Sequence, residues 1–217
     1  MLQREVLPNS IRFDSLEVIE DLPLDKGGSF AWKYADPCGL LMMVVSEAPL
    51  LSECFKHAAA RSPPSPDRPW SLVLAWDEFC PGNKLQVDPS RKAMVLSFTF
   101  LELGQDAIAN GLALITPVVI RTGILRKVTG GWPNFLRRFL RRILVGQNGL
   151  ATVGMPLVLA DGTSLPLFAN VAGLLSDGDG LRAGLDWKGH AGLKPCLRHY
   201  NVWKLDIVKR ASLCNMC

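Results

Sequence analysis

The chain has 217 residues, of which 48% are apolar and 20% are charged. This is the composition of a folded protein and not of a disordered one. The longest apolar runs, residues 39–46 and 112–120, fall well short of the roughly 20 residues of a membrane span. Residues 1–20 lack the apolar core of a secretory signal. We therefore expect an intracellular protein, nuclear or cytoplasmic, with no membrane partner.

Charge is unevenly distributed along the chain. Residues 1–106 carry 10 Lys and Arg against 15 Asp and Glu, whereas residues 107–217 carry 14 against 5. No acid occurs between Asp106 and Asp161. A field of one sign attracts polyanions, such as nucleic acid or an anionic membrane surface. The alternative is a basic outer face that has no partner.

In chain order, residues 1–36 show no regular pattern, and residues 40–60 indicate a helix that breaks near Pro49. The connector ARSPPSPDRP, residues 60–69, marks a boundary because proline cannot continue a helix. We therefore predict a partly helical leader region over residues 1–66, followed by a second region over residues 67–217.

Three strands are predicted after the connector, because each segment is rich in β-branched, aromatic and other apolar residues. They are Ser71–Phe79, Ala93–Leu103 and Leu112–Thr122. Pro117 lies in the third strand and indicates a bulge or an edge position, since proline cannot donate a hydrogen bond to a neighbouring strand.

The segment GGWPNFLRRFLRRILVG then predicts an amphipathic helix. Its apolar residues recur at helical spacing, and four arginines occupy the other face. Pro133 suits the first turn, and Gly146 suits the C-terminal cap. We expect the basic surface to contact DNA phosphates through Arg137, Arg138, Arg141, Arg142, Lys188 and Lys194.

A hairpin over residues 155–171 is predicted to turn at Asp161-Gly162. Its second arm continues as an apolar strand, Ala169–Leu175, and a short helix follows around Gly180–Leu185. The predicted order after the connector is therefore strand, strand, strand, helix, hairpin, strand, helix.

Two of the predicted strands, Ser71–Phe79 and Ala169–Leu175, lead to an aspartate, Asp77 in one and Asp177 just after the other. If the two strands are neighbours in one mixed sheet, their ends lie about 5 Å apart. Two carboxylates at that separation can share a divalent cation through their oxygens, as in sites that hydrolyse phosphodiesters. The alternative is that each aspartate belongs to a turn or caps a helix.

The motif WDEF, the order of elements and the segment SDGDGLRAGLDWKGHAGLKPCLRHYNV resemble the RNase H-like core of eukaryotic cut-and-paste transposases. The CACTA-type group and related transposon-derived reading frames are the most similar. The resemblance covers about residues 67–203. It implies an α/β fold with an RNase H-like mixed sheet, DNA as partner, Mg²⁺ or Mn²⁺ as cofactor, and Asp77 and Asp177 as catalytic metal ligands.

The family's third carboxylate comes from a later helix that has no counterpart in this sequence. The expectation is therefore an incomplete RNase H-like domain, a fragment or decayed copy that does not cleave DNA alone.

Residues 194–217 contain Cys196-x₂-His199 and Cys214-x₂-Cys217. Two close pairs of this type suit a tetrahedral structural Zn²⁺. In the resembled family, Cys196 matches the first residue of a Cys-x-x-Cys pair, and His199 stands in place of the second. The alternative is a surface histidine and terminal cysteines that bind no metal.

Signatures of serine hydrolases, P-loop NTPases and dinucleotide enzymes do not occur in the sequence, and no small-molecule substrate is indicated. Three functions stay open at this stage. The chain is a metal-dependent DNA-strand-transfer domain, a non-catalytic DNA-binding module, or an unrelated α/β protein whose basic helix docks on a membrane or a protein partner. Each is compatible with a homo-oligomer.

Overall fold

The computed structural model describes residues 16–81, 91–146 and 148–185. The chain divides into two compact units, one ending at Leu175 and the other beginning at Ser176. The predicted α/β class is confirmed, since the first unit contains a mixed four-stranded sheet together with several helices.

A β-hairpin lies in the region for which the sequence indicated no regular structure. Strand β1 (Glu17–Pro23) pairs antiparallel with β2 (Ser29–Ala35), and Gly27 with a φ of 87° lies in the turn. The expectation for this region was wrong because the charged residues of β1 do not alternate regularly with its apolar ones. Trp32 and Tyr34 are buried while their neighbours are more exposed, which is the two-residue period of a hairpin covered on one face.

Two helices follow, α1 (Pro37–Glu47) and α2 (Pro49–Arg61), and each has proline in its first turn. The Asp36 carboxylate caps α1 by accepting the backbone N–H of Gly39 at 2.9 Å. The predicted helix with a break near Pro49 is thereby confirmed. No helix in the described ranges is by itself long and apolar enough to span a membrane, and the bent pair α1–α2 meets that test only when both are counted together.

The next strands are β3 (Trp70–Phe79), β4 (Ala93–Phe100) and β5 (Ile115–Arg121). A 3₁₀ turn and the short helix α3 (Gln105–Ala109) connect β4 to β5, and α4 (Thr122–Leu125) follows β5. The remaining elements are α5 (Gly131–Val145), β6 (Met155–Val158), β7 (Ser164–Leu167), β8 (Ala169–Leu175) and α6 (Gly178–Leu185). The order predicted for the chain after the connector is confirmed for the strands and for α5 and α6, whereas the short helices α3 and α4 were not predicted.

The four-stranded sheet has the order β5-β4-β3-β8. The pairs β5-β4 and β4-β3 are antiparallel, whereas β3 and β8 are parallel. The position expected from Pro117 is confirmed, since β5 is the edge strand and its pairing with β4 shifts register between Leu96 and Phe98. The predicted second arm of the hairpin is divided: β7 pairs with β6, whereas β8 joins the large sheet.

Helices cover one face of this sheet. Phe55 of α2 packs against Trp70 of β3 and Phe100 of β4, with ring centroids 5.7 and 5.9 Å away. Trp76 of β3 lies 6.2 Å from Trp132 of α5. Even-numbered residues of β3 therefore face the helices, and odd-numbered ones face the opposite side.

Candidate functional site

The two acids in WDEF lie within β3, which runs on to Phe79 and so does not stop at them. Asp77 pairs with Val95 of β4, and Glu78 pairs with Met94. Successive side chains of a strand point to opposite faces. The two carboxylates therefore point to opposite faces of the sheet and have different surroundings.

Glu78 has a structural role that the sequence analysis missed. Its Oε2 accepts a hydrogen bond from Lys92 Nζ at 2.7 Å, and its Oε1 accepts one from Thr122 Oγ1 at 2.8 Å. The hydrogen bond from Lys92 lowers the pKa of Glu78. Because Lys92 precedes β4 and Thr122 follows β5, this carboxylate ties together the ends of three strands.

Asp77 is exposed on the face of the sheet opposite to α5. Its Oδ1 accepts the backbone N–H of Glu78 at 2.7 Å. Within the described residues, this leaves Oδ2 available for a ligand. Carboxylate oxygens are the donors that Mg²⁺ and Mn²⁺ prefer. Asp77 therefore fits the role of a cation ligand better than Glu78 does, because both oxygens of Glu78 are occupied.

Asp177 is the second residue of the second unit, and it caps α6. Its Oδ1 accepts the N–H of Gly180 at 2.5 Å, and its carbonyl accepts the N–H of Leu181 at 2.9 Å. Capping of this kind was the alternative considered from the sequence, and it uses one of the two carboxylate oxygens. Because Asp77 and Asp177 belong to different units, their predicted proximity stays a prediction.

The strands that lead to these aspartates, β3 and β8, are neighbours in the sheet. A site shared by the two aspartates requires this. In the parallel pairing of β3 with β8, Leu74 lies opposite Leu174 and Ala75 lies opposite Leu175. Asp77 and Asp177 each follow the last of these pairs by two residues.

Within residues 16–81, 91–146 and 148–185, no three His, Cys, Asp or Glu side chains are grouped so that they could hold one ion. The predicted zinc ligands and two of the predicted DNA contacts lie outside the described residues: Cys196, His199, Cys214, Cys217, Lys188 and Lys194.

The predicted amphipathic helix is confirmed as α5. Its buried side chains are Trp132, Phe135, Leu136, Phe139 and Ile143. Two of its four arginines form ion pairs with acids of the N-terminal region, and the predicted DNA contact through all four stays a prediction. Arg138 Nη1 donates to Glu20 Oε1, and Arg142 Nε donates to Asp36 Oδ1, both at 2.6 Å.

An open groove of about 650 Å³ lies between β1 and α5, and we call it the β1–α5 groove. Its lining is formed by residues 18–20, Tyr34, the four arginines, Val145 and Gly146. The Tyr34 hydroxyl donates to Glu20 at 3.3 Å. Burial and the nearby Glu20 charge raise the pKa of Tyr34 to about 12, so it is neutral at physiological pH.

Two of the four arginines keep an unbalanced charge. Arg137 donates to the neutral side chain of Asn134 at 3.1 Å. In the part of the chain that the structure describes, neither Arg137 nor Arg141 forms an ion pair with a carboxylate. Glu20 and Asp36 balance the other two, so the groove has an excess of two positive charges. The sequence did not reveal these acids, because they lie 118 and 106 residues from their partners.

Comparisons with protein-family models, with curated proteins and with solved structures found no match to this chain.

Proposed function

We propose that the protein is an RNase H-like, transposase-type domain that binds DNA and holds a divalent cation with Asp77 and Asp177. The observation that carries the proposal is the parallel pairing of β3 with β8, in which Ala75 lies opposite Leu175 and an aspartate follows each by two residues. A shared site requires the two strands to be neighbours, and the sequence alone could not show that they are.

The order of the sheet adds support. Three antiparallel strands, β3 to β5, are followed by the helix α5, and β8 then pairs with the first of them. Strand β3 lies between β4 and β8 as far as Ala75, and at Asp77 it is paired with β4. Pairing within a sheet keeps a metal-binding carboxylate in position.

Each of the two aspartates accepts a local backbone hydrogen bond with one carboxylate oxygen. Asp77 accepts the next backbone N–H through Oδ1, and Asp177 caps a helix through Oδ1. Within the described ranges, each therefore keeps Oδ2 for a cation. When bound, Mg²⁺ or Mn²⁺ would supply activation of water and stabilisation of a leaving phosphodiester oxygen.

DNA contact is proposed through the exposed part of the basic helix. Arg137 and Arg141 lack carboxylate partners among the described residues, whereas Arg138 and Arg142 must exchange Glu20 and Asp36 for phosphates. Each neutralised phosphate contributes about −0.9 to the slope of log K against log salt. We expect the double variant Arg137→Gln/Arg141→Gln to flatten that slope by about 2.

The test is the affinity of a fluorescein-labelled duplex, measured by anisotropy at several KCl concentrations. Lys26→Gln/Arg68→Gln is the matched control, because it removes two exposed charges from the turn and the connector. The proposal requires the first variant to lose affinity and slope and the control to keep both. Equal behaviour of the two variants would contradict it. Flotation with anionic vesicles in the absence of DNA affinity would instead favour docking on a membrane.

A further inference from the structure

The outer edge of β1 carries backbone groups that β2 does not use. Leu16 accepts the N–H of Asp36 at 2.8 Å, and Leu24 donates to Gly28 at 3.1 Å. Because an antiparallel strand alternates between bonding inward and outward, even-numbered residues of β1 bond to β2. The N–H and C=O of odd-numbered residues, including Ile19 and Asp21, therefore point to the outer edge.

One end of this edge is already paired. Asp25 donates to Lys127 at 2.9 Å, and Pro23 accepts the N–H of Thr129 at 2.8 Å. The chain then turns into α5, and the pairing stops. Across residues 16–81, 91–146 and 148–185, the backbone groups of Ile19 and Asp21 that face this edge have no hydrogen-bond partner.

The open edge borders the β1–α5 groove. The groove adds two arginines that lack carboxylate partners within the described ranges, Arg137 and Arg141, and one exposed apolar side chain, Val145 at 57%. Helix α5 runs alongside the hairpin, since it is tied to Glu20 by Arg138 and to Asp36 by Arg142. A ligand in this groove therefore meets a strand edge on one side and a row of arginines on the other.

We propose that the β1–α5 groove binds an extended acidic peptide of a partner protein, which adds to the edge of β1 as a further strand. Arg137 and Arg141 are one helical turn apart, a rise of about 6 Å. Alternate residues of a strand are separated by about 6.6 Å and share a face. The motif that fits is thus two acidic residues separated by one other, with apolar residues at the intervening positions.

A peptide matches the edge better than a nucleic acid does. The edge offers both N–H donors and C=O acceptors, and only another peptide backbone satisfies both in sequence. Phosphates only accept hydrogen bonds, so they would leave the carbonyl groups unpaired. The segments outside the described residues, 1–15, 82–90 and 186–217, contain no pair of acids separated by one residue. None of these segments supplies the motif, and a partner protein is the occupant that we propose. This inference does not depend on DNA binding.

The probe is a fluorescein-labelled octapeptide of alternating Glu and Val, compared with its Gln and Val counterpart. We expect the acidic peptide to bind at least about tenfold more tightly, as charge-assisted hydrogen bonds to two arginines require. Ile19→Pro removes one outward N–H and should weaken binding about tenfold. The control Ile19→Ala keeps that N–H and should change affinity by less than about threefold.

Hydrogen exchange on the wild-type chain gives a readout that does not depend on a variant folding. The acidic peptide should slow exchange at the Ile19 and Asp21 amides and leave their even-numbered neighbours unchanged. Equal binding of both peptides, unchanged exchange at the two amides, or slowing by duplex DNA alone would overturn the proposal. If raising the protein concentration slows exchange at the two amides without any peptide, the proposal is also overturned, because a second copy of the chain would then occupy the edge. The duplex affinity of Ile19→Pro should stay at the wild-type value, which separates this test from that of DNA binding.

Discussion

Replacement of Trp32 by alanine tests whether the N-terminal hairpin is an integral part of the first unit. The Trp32 ring is 3% exposed, stacks on Tyr34 with centroids 3.8 Å apart, and lies 4.3 Å from Phe135 of α5. Phe135 in turn stacks on Trp132 at 5.0 Å. The hairpin is therefore fixed to α5 by aromatic packing as well as by ion pairs.

The magnitude follows from the burial. Truncation of a large buried aromatic side chain costs about 3–5 kcal/mol. The buried indole N–H of Trp32 has no hydrogen-bond partner among the described residues, and the loss of such a group recovers about 1–3 kcal/mol. The net expectation is a loss of about 2 kcal/mol for Trp32→Ala. Trp32→Phe, the matched control, keeps most of the ring contact and removes the unpaired N–H, so its loss should be under about 1 kcal/mol.

The assay is urea unfolding of the full chain, followed by far-UV circular dichroism and by tryptophan fluorescence. Trp32→Ala should lower the midpoint of the same transition that the wild type shows, with both probes in agreement. A separate early transition, or an unchanged midpoint, would refute the reasoning. The hairpin would then be a detachable leader, and the β1–α5 groove would lose one wall.

Further predictions concern the two faces of β3 and a buried thiol. Glu78→Gln should lower stability by about 1 kcal/mol near pH 7. The lowered pKa of Glu78 makes its contribution present above the ordinary value of 4.5 and lost as pH falls through the folded value, so urea midpoints of variant and wild type should converge near pH 2. Burial raises the pKa of the Cys38 thiol from 9.0 to about 12. The wild type should therefore lose more stability than Cys38→Ala as pH rises from about 9 towards 12 in the same assay. Supercoiled plasmid should stay intact when it is incubated with the chain and Mn²⁺, since only two of the resembled family's three metal-binding carboxylates have been matched. Nicking that disappears in Asp77→Asn would contradict this expectation.

The elements after the connector were predictable because their patterns are local. Apolar residues at helical spacing specify α5, and the β-branched and aromatic runs specify β3 and β4. The hairpin was missed because the charged residues of EVIEDLP do not alternate regularly with its apolar ones, so that it looks like a polar surface segment. The division between β7 and β8 was missed because the change of partner strand depends on contacts that no local pattern records.

The candidate site was predictable only in its parts. Asp77 and the arginines could be identified from their residue types and positions in the sequence, but their partners could not be predicted from spacing. Glu20 meets Arg138 across 118 residues, and Glu78 meets Thr122 across 44. Such pairs arise from the packing of the hairpin on α5 and from the order of the sheet. A sequence therefore indicates which charges exist, whereas the fold decides which of them keep an unbalanced charge.

Mn²⁺ binding, measured by electron paramagnetic resonance, tests the central claim most directly. The wild type should bind one ion weakly, and Asp77→Asn and Asp177→Asn should each abolish that binding. If the two carboxylates share one ion, the double variant should be no worse than either single variant, because the effects of groups that act together do not add. Asp67→Asn, an exposed acid of the connector, should leave binding unchanged. Wild-type affinity in both Asp77→Asn and Asp177→Asn would contradict the account.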